Sequence, residues 1–376
     1  MRIIGYIKRE IVLSIAVVLA VVSMFLVPPD QAYLSYVDYR TIGILFCLMA
    51  VVEGFKELGV FHWMAHSMLK RVHSLWQMVL ILMLLCFFMG MFITNDVALI
   101  AFVPFTLTTL TLLGEEKKNR LLIPVVILQT LAANMGSMLT PLGNPQNLYL
   151  YGRAQMGLLE FIILMLPFTA VAFLLLVICS LIVGGGKKET LTVTLQEERN
   201  PGSRKRQILY LVLFGICILT VARVVPYTVV TVIVLVSVLI ADRKVLLHID
   251  YALLLTFAAL FVFIGNMGRI DTFRHLLEQV VDGHELVTAV IASQVISNVP
   301  AAILLSGFTE NIPALIAGTN LGGLGTIIAS MASLISFKYA ARENCALCGK
   351  YLGYFTIVNV IFLAVLLPVA RIVKLL

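Results

Sequence analysis

Residues 121–152 read LLIPVVILQTLAANMGSMLTPLGNPQNLYLYG, an apolar stretch that contains no Asp, Glu, Lys or Arg. A helix of about 20 apolar residues crosses a bilayer, so this stretch is too long for one straight span. Its middle carries Gly, Pro, Asn and Thr, which is how a helix broken inside a membrane reads. Residues 311–337 form a second long window of the same character. The sequence therefore predicts two broken helices within a membrane.

The composition of the whole chain points to the same solvent. Of its 376 residues, 61% are hydrophobic and 12% are charged, against roughly 45–50% and 25% in soluble domains. A soluble protein has too little interior to bury that much apolar surface. Disordered, collagen-like and small disulfide-stapled chains are excluded by the same figures. The net charge of +7 is divided among short clusters between apolar stretches, so no nucleic-acid surface is expected.

The expected topology follows from the charge-free windows and the Lys and Arg residues between them. We expect an all-α polytopic membrane protein with about nine full spans, two re-entrant hairpins and two broken helices. Arg2, Lys8 and Arg9 place the N-terminus in the cytoplasm, and the crossings then place the C-terminus outside. The expected segments are a first transmembrane repeat over 1–183 with hairpin 74–114 and broken helix 121–152, a cytoplasmic linker over 184–207, and a second transmembrane repeat over 208–376 with hairpin 286–309 and broken helix 311–337.

Three polar strings occur once in each half of the chain, in the same order. They are Asp38-Tyr39 and Asp250-Tyr251, then Thr94-Asn95-Asp96-Val97-Ala98 and Ser297-Asn298-Val299-Pro300-Ala301, then Asn134-Met135-Gly136-Ser137 with Thr140 and Asn320-Leu321-Gly322-Gly323 with Thr326. By the charge rule Asp38 lies outside and Asp250 inside, so the two copies cross the membrane in opposite directions. Such inverted repeats place substrate and ion sites between the copies, where unwound backbone and helix ends converge.

The matched positions are polar or Gly at depths where Leu would cost less free energy, so they form the candidate site. The substrate- and ion-binding residues expected are Thr94, Asn95, Asp96, Asn134, Gly136, Ser137, Thr140, Asn144, Ser297, Asn298, Asn320, Gly322, Gly325, Thr326 and Ser330. Asn147 and Ser333 follow in the same stretches. Two structural alternatives stay open: the Asn, Asp, Ser and Thr side chains would cap helices, and the glycines would allow close helix packing.

Asp96 is the only Asp, Glu, Lys or Arg between Arg71 and Glu115. An ionisable group at such depth is costly and is a functional candidate by default. Asp96 is therefore the expected proton or cation coupler, with a Na⁺ site at Asn95, Asp96 and Asn298.

Two further features have simpler interpretations. Residues 59–73 and 269–283 are expected to be amphipathic surface helices, with His62 and His66 on a wet face of the first. Cys345 and Cys348 form a single CxxC pair, whereas a zinc site of this kind needs a second pair. Neither feature predicts a resident metal.

The polar strings resemble those of the ion transporter superfamily, which groups arsenite/antimonite permeases, NhaD-type Na⁺/H⁺ antiporters, citrate transporters and divalent-anion/Na⁺ symporters. The resemblance runs from about Asp38 to the C-terminus. It is strongest to the YbiR-type bacterial inner-membrane anion permeases, which share Thr-Asn-Asp-Val-Ala-Leu, here at 94–99, and Leu-Thr-Pro-x-Gly-Asn-Pro-Gln-Asn, here at 139–147. It implies a carrier of the bacterial inner membrane that uses Na⁺ or H⁺ as coupling ion and no other cofactor. Because relatives often dimerise, it also allows a homodimer.

The leading functional hypothesis is a secondary active transporter that moves a small inorganic or carboxylate anion by alternating access. The alternative is a Na⁺/H⁺ antiporter or an arsenite-type metalloid oxyanion efflux permease on the same scaffold. In the divalent-anion branch each hairpin tip reads Ser-Asn-Thr, whereas the third positions here are Asp96 and Val299. The sequence contains no HExxH, GxSxG or GxxxxGK[ST] motif, so neither an enzyme nor an ATP-driven pump is expected.

Overall fold

The computed structural model describes residues 10–70, 72–185 and 202–375, and their regular structure is helical. The N-terminal cluster Arg2, Lys8 and Arg9 and most of the linker 184–207 lie outside these residues. The helices are α1 (Ile11–Leu26), α2 (Tyr33–Tyr36), α3 (Tyr39–Glu57), α4 (Val60–Leu69), α5 (Leu75–Ile93), α6 (Asn95–Thr111), α7 (Glu115–Ser137), α8 (Pro145–Ala154), α9 (Leu158–Val183), α10 (Arg204–Val221), α11 (Tyr227–Ala241), α12 (Arg243–Leu247), α13 (Tyr251–Met267), α14 (Asp271–Val281), α15 (Glu285–Ile296), α16 (Asn298–Leu305), α17 (Ile312–Gly322), α18 (Met331–Glu343) and α19 (Cys348–Ile372).

Five of the described helices, α5, α6, α7, α9 and α19, are long and apolar enough to cross a membrane. A sixth span results if α13 and α14, which meet at an angle of 105°, are counted as one. The sequence predicts about nine spans by the 20-residue criterion. The difference has a physical cause: α3 carries charged residues near both ends and α10 near its start, while α1 and α11 have only 16 and 15 residues. The nine-span topology stays a prediction.

The distribution of burial is that of a membrane protein with a central helix. In α7 every residue from Leu121 to Ser137 except Pro124 is buried. The outer helices instead expose large apolar side chains, such as Phe25 at 83% and Ile182 at 73%. Lipid tails accept such side chains at no cost, whereas water does not. The chain is thus an all-helical polytopic membrane protein.

Contacts between α1 and α13 show at which end of α13 the segment before Asp38 lies. Asn266 donates a hydrogen bond of 2.9 Å from Nδ2 to Ser23 Oγ near the ends of the two helices. Beyond them, Arg269 Nη1 lies 2.8 Å from Asp30 Oδ2. The chain that leads to Asp38 therefore runs at the Met267 end of α13.

Asp250 lies at the opposite end of α13, because it is the residue before Tyr251. Asp38 and Asp250 nevertheless cap their helices in the same way. Their φ/ψ angles are −78°/85° and −76°/79°, and each Oδ1 accepts a 3.0 Å hydrogen bond from the backbone N–H three residues later. The same capping motif thus starts α3 at one end of the bundle and α13 at the other.

Each hairpin turns at a residue with an unusual backbone conformation. Thr94, between α5 and α6, has φ/ψ of 73°/150°, and Ser297, between α15 and α16, has 71°/154°. This region is strongly disfavoured for residues with a Cβ and persists only where the surroundings enforce it, often at functional sites. The arms differ in length, with 19 and 17 residues in the first hairpin and 12 and 8 in the second.

The surface helix α4 corrects one expectation. His66 is buried together with Phe61, Ala65 and Leu69, so it does not lie on a wet face. His62 is exposed, and its ring contacts the edge of Phe105 at 5.8 Å between centroids. The two histidines therefore do not share one surface.

We expect Gly136→Ala to lower the thermal unfolding temperature of the purified protein. A Cβ on Gly136 would overlap the carbonyl group of Phe87 on α5, and overpacking of this kind costs about 1–3 kcal/mol. Gly215→Ala in α10 is the control, because a Cβ there meets no atom within 4 Å and Ala favours the helix by about 1 kcal/mol. Equal unfolding temperatures for Gly136→Ala and the wild type would contradict the close packing of α5 on α7.

Candidate functional site

The first hairpin tip is tied to the first helix break through Asn95. Its backbone N–H donates to the Gly143 carbonyl at 3.0 Å, and its Nδ2 donates to Asn134 Oδ1 at 2.9 Å. Its Oδ1 accepts from the Asp96 N–H at 3.0 Å. Asn95 is buried, so these bonds satisfy a side chain that has little access to water.

The second hairpin tip makes the corresponding backbone contact. The Asn298 N–H donates to the Ala329 carbonyl at 2.9 Å, and Ser297 Oγ lies 3.4 Å from the same oxygen. Asn298 is buried, with its Nδ2 beside Gly323 at the end of α17. Each tip therefore seats its Asn on the non-helical segment of the broken helix beside it.

The two helix breaks also have parallel hydrogen bonds. In the first, Thr140 Oγ1 donates to the Met91 carbonyl, and the Gly143 N–H donates to the Thr140 carbonyl at 3.3 Å. In the second, Thr326 Oγ1 donates to the Gln294 carbonyl at 3.3 Å, and the Ala329 N–H donates to the Thr326 carbonyl at 3.2 Å. The breaks thus repeat one backbone arrangement.

Asn144 begins the second part of the first broken helix. It precedes Pro145, and its Oδ1 accepts from the Asn147 N–H at 2.9 Å, as an N-cap does. Its Nδ2 donates to Ser137 Oγ at 3.3 Å. Ser330 stands at the same place before α18.

Hydrogen bonds between side chains of the two halves join the breaks. Asn144 Nδ2 donates to Asn320 Oδ1 at 3.1 Å, and in the reciprocal direction Ser330 Oγ donates to Asn134 Oδ1 at 3.3 Å. Asn320 Nδ2 also donates to Asn147 Oδ1 at 2.6 Å. We call this set the asparagine cluster, and its members, all buried, are Asn95, Asn134, Asn144, Asn147, Asn320 and Ser330.

Three helices begin at the asparagine cluster, and a fourth, α16, begins beside it, since the Asn298 N–H bonds the carbonyl of the residue that precedes Ser330. Asn95 begins α6, Asn298 begins α16, and Asn144 and Ser330 precede α8 and α18. The N-terminus of a helix carries partial positive charge, which favours a bound anion. The cluster is therefore suited to a small anion.

A cavity of about 160 Å³ adjoins the first tip. Its lining is mostly apolar, with six polar or charged exceptions: Glu53, Lys56, Thr94, Asp96, His248 and Asp250. Asp96 Oδ1 is shielded from solvent and has no hydrogen-bond partner among the described residues. An unpaired carboxylate oxygen in such a place leaves room for a cation or a proton.

The candidate glycines and Thr326 have other surroundings. Gly136 and Gly322 lack a positive φ and allow close helix packing, since a Cβ would overlap Phe87 or Ser293. Gly325 has a φ of 116°, and Thr326 is exposed. Gly325 is buried against Gln294, and the Thr326 N–H bonds Gln294 Oε1, so both contact Gln294 and not the asparagine cluster.

Gln294 is a residue that the sequence did not single out. Its side-chain Nε2 donates to the carbonyls of Gly322 and Leu324 at 2.9 Å each, and its Oε1 accepts from the Thr326 N–H at 2.9 Å. It holds the second break in place. The corresponding position of the first half is Met91, so comparison of the halves gave no signal for it.

On the other side of the cluster the two halves are in direct contact. Tyr149 Oη lies 2.8 Å from Ser306 Oγ, and Arg153 Nη2 donates to the Ser306 carbonyl at 3.1 Å. Tyr149 and Ser306 are buried. These bonds close the bundle between α8 and the end of the second hairpin.

Asn320→Leu is expected to destabilise the protein by about 1–3 kcal/mol, because it leaves the buried Asn147 Oδ1 without its donor and removes one of the two acceptors of Asn144 Nδ2. Thermal unfolding in detergent measures the effect. In Asn144→Leu/Asn320→Leu the cost should be smaller than the sum of the single costs, since the residues share one bond.

Asn359→Leu is the matched control for a buried Asn. Asn359 Nδ2 bonds only the Phe355 carbonyl of its own helix, and its Oδ1 has no partner in the described part of the chain. Little or no loss of stability is expected. An equal loss in Asn320→Leu and Asn359→Leu would contradict a special role of the cross-half bonds.

Comparison with known proteins agrees with the predicted resemblance. The family model for the citrate transporter, CitMHS, matches residues 3–318. The uncharacterized transporter MJ0456 of Methanocaldococcus jannaschii is 31% identical over 336 residues, which are 89% of this chain and 90% of that protein. The inner membrane protein YbiR of Escherichia coli is 32% identical over 320 residues, 84% of each. The 46 kDa membrane protein of Mycobacterium leprae is 23% identical over 361 residues, 85% of this chain and 83% of that protein. The chain therefore belongs to the CitMHS citrate transporter family and is a membrane transporter, not an enzyme.

Proposed function

We propose that the protein is a secondary active transporter that moves a small anion across the bacterial inner membrane, coupled to Na⁺ or H⁺. The observation that carries this proposal is the position of Asp96. Its carboxylate stands at a hairpin tip, lines a cavity, has an unpartnered oxygen and adjoins the asparagine cluster through Asn95. A cation at Asp96 would neutralise one side of the site, while an anion at the helix N-termini would occupy the other. Each ion would favour binding of its opposite in a medium of low dielectric.

The chemistry of the asparagine cluster supports a carboxylate or inorganic anion as substrate. The helix N-termini offer partial positive charge without a fixed cation. Among the side-chain amides of the cluster, Asn134 Nδ2 is buried and has no hydrogen-bond partner in the described residues, so it can donate to an anion. The family is named for citrate, which is a carboxylate anion. A small carboxylate is accordingly the substrate class to test first.

Alternating access is proposed to arise from two inverted repeats. The equal caps of Asp38 and Asp250, the equal tips at Thr94 and Ser297 and the reciprocal bonds of the cluster support two related halves. In the proposed orientation Asp38 is outside and Asp250 is cytoplasmic, so the cavity at Asp96 opens inward. Outward opening would break the Tyr149–Ser306 contact.

A Na⁺/H⁺ antiporter or an arsenite-type metalloid oxyanion permease is the second candidate. The acidic lining of the cavity favours it, because Asp96, Asp250 and Glu53 face it together with one Lys. A proteoliposome assay separates the two candidates. An anion symporter takes up labelled carboxylate when a Na⁺ or H⁺ gradient is imposed, whereas an antiporter moves protons on addition of Na⁺ alone.

Asp96→Asn is expected to fold normally and to lose about 90% of gradient-driven transport, since the neutral amide supplies no negative charge for a coupling cation and takes up no proton. The measurement is uptake into proteoliposomes with and without the ion gradient. Asp271→Asn, at an exposed position on α14, is the matched control and should retain wild-type uptake. Full gradient-driven uptake by Asp96→Asn would exclude the coupling role.

A further inference from the structure

The charged residues that line the cavity at Asp96 are unequally paired. Lys56 Nζ lies 2.9 Å and 3.0 Å from the two carboxylate oxygens of Glu53. His248 Nδ1 lies 3.6 Å from Glu57 Oε1. The positive charge of Lys56 is therefore already paired with the carboxylate of Glu53. Among the ion pairs of the described residues, the imidazole of His248 lies near the carboxylate of Glu57 and not near Asp96 or Asp250.

Asp96 and Asp250 remain as carboxylates of this cavity that no Lys or Arg side chain neutralises within the described residues. They stand on different elements, Asp96 at the tip of the first hairpin and Asp250 at the start of α13. Like charges that face one confined, mostly apolar space repel each other, and a shared cation or proton removes that repulsion.

The two carboxylates differ in access to water. Asp250 is exposed, and its Oδ1 accepts the capping bond from the Leu253 N–H at 3.0 Å. Asp96 Oδ1 is shielded and unpartnered. The cavity thus connects an acidic, solvent-accessible end with an acidic, enclosed end.

We propose that Asp250 is the second acidic residue of the coupling-ion site. A monovalent cation, Na⁺ or H⁺, passes Asp250 and binds in the cavity under the combined charge of Asp250 and Asp96. This inference rests on the proposed function, and it adds a residue and an ion path to it.

The site is asymmetric between the halves, which makes the inference specific. The counterpart of Asp250 is Asp38, with the same cap geometry, and the counterpart of Asp96 is Val299. Asp38 is not among the residues that line the cavity. Only the first of the two tips therefore brings a carboxylate to a second one.

The position of the pair also links ion occupancy to conformation. Asp96 belongs to a hairpin, whereas Asp250 belongs to α13, which packs on α1 through the Asn266–Ser23 bond. A cation bound by both residues stabilises the arrangement in which the hairpin lies close to α13. Movement of the hairpin away from α13 would release it.

The experiment compares Asp250→Asn with Asp38→Asn. Asn is as good an N-cap as Asp, so both variants keep their caps, and only Asp250→Asn removes a carboxylate from the cavity. Thermal unfolding of the purified full-length protein is followed against NaCl, with choline chloride at equal ionic strength as reference, and against pH. An ion that binds the folded state and not the unfolded state raises the unfolding temperature.

For Na⁺ coupling, the wild type and Asp38→Asn should be stabilised by NaCl, whereas Asp250→Asn should need about tenfold more NaCl for the same rise, equivalent to about 1.4 kcal/mol. For H⁺ coupling, stability should follow pH instead of NaCl. The profile of Asp250→Asn should then differ from that of the wild type, and the profile of Asp38→Asn should not. Glu53, Lys56 and His248 also face the cavity, and they are unchanged in every variant.

The outcomes separate this inference from the proposed function. If Asp96→Asn abolishes ion-dependent stabilisation and Asp250→Asn leaves it intact, the role of Asp250 is rejected and that of Asp96 stands. If neither variant alters the ion dependence, both are rejected. Should Asp250→Asn fail to fold, Asp250→Ser keeps a capping oxygen without the charge, and Asp250→Glu, which restores the charge, should restore the ion dependence.

Discussion

The requirement that buried backbone and amide groups be hydrogen-bonded in the membrane underlies the rest of this structure. Two helices are interrupted and two hairpins turn where water is largely excluded, and unpaired polar groups there cost several kcal/mol each. Bonds within each half seat Asn95 on Gly143 and Asn298 on Ala329. Bonds between the halves, from Asn144 to Asn320 and from Ser330 to Asn134, then join the two breaks. Without these bonds, burial of the non-helical segments would leave polar groups unpaired and would be unfavourable.

That requirement also bears on the ion binding proposed for the site. A helix break places the positively polarised N-terminal end of a helix inside the bundle, and four such ends lie at or beside the asparagine cluster. The strained turns at Thr94 and Ser297 persist because the bonds of the next residue hold them. Asp96 follows the first turn, so a carboxylate lies directly beside a region of positive potential. In the proposed cycle this neighbourhood of opposite charges couples anion to cation.

Much of the fold was predictable because the relevant signals are local. Charge-free windows mark membrane helices, and the polar residues of 134–147 and 320–333 mark their breaks. The glycines were harder to interpret, because Gly136 and Gly322 serve close packing, whereas Gly325 alone among these three needs a positive φ. Gln294 was missed, since its importance lies in three hydrogen bonds to a distant break. His66 was assigned to a wet face, although the side chain is buried.

The sequence by itself determined the membrane environment of this protein, its helical class, its family and the two polar segments that interrupt apolar helices. These properties depend on composition and on neighbours along the chain, which a sequence displays directly. Tertiary structure alone decided the partners. Asn144 and Asn320 are far apart in sequence and meet only because the halves pack together. Likewise, Asp96 and Asp250 are far apart in sequence and line one cavity only in the folded chain. Such pairings follow from three-dimensional packing, because one side chain has several chemically suitable partners and geometry selects among them.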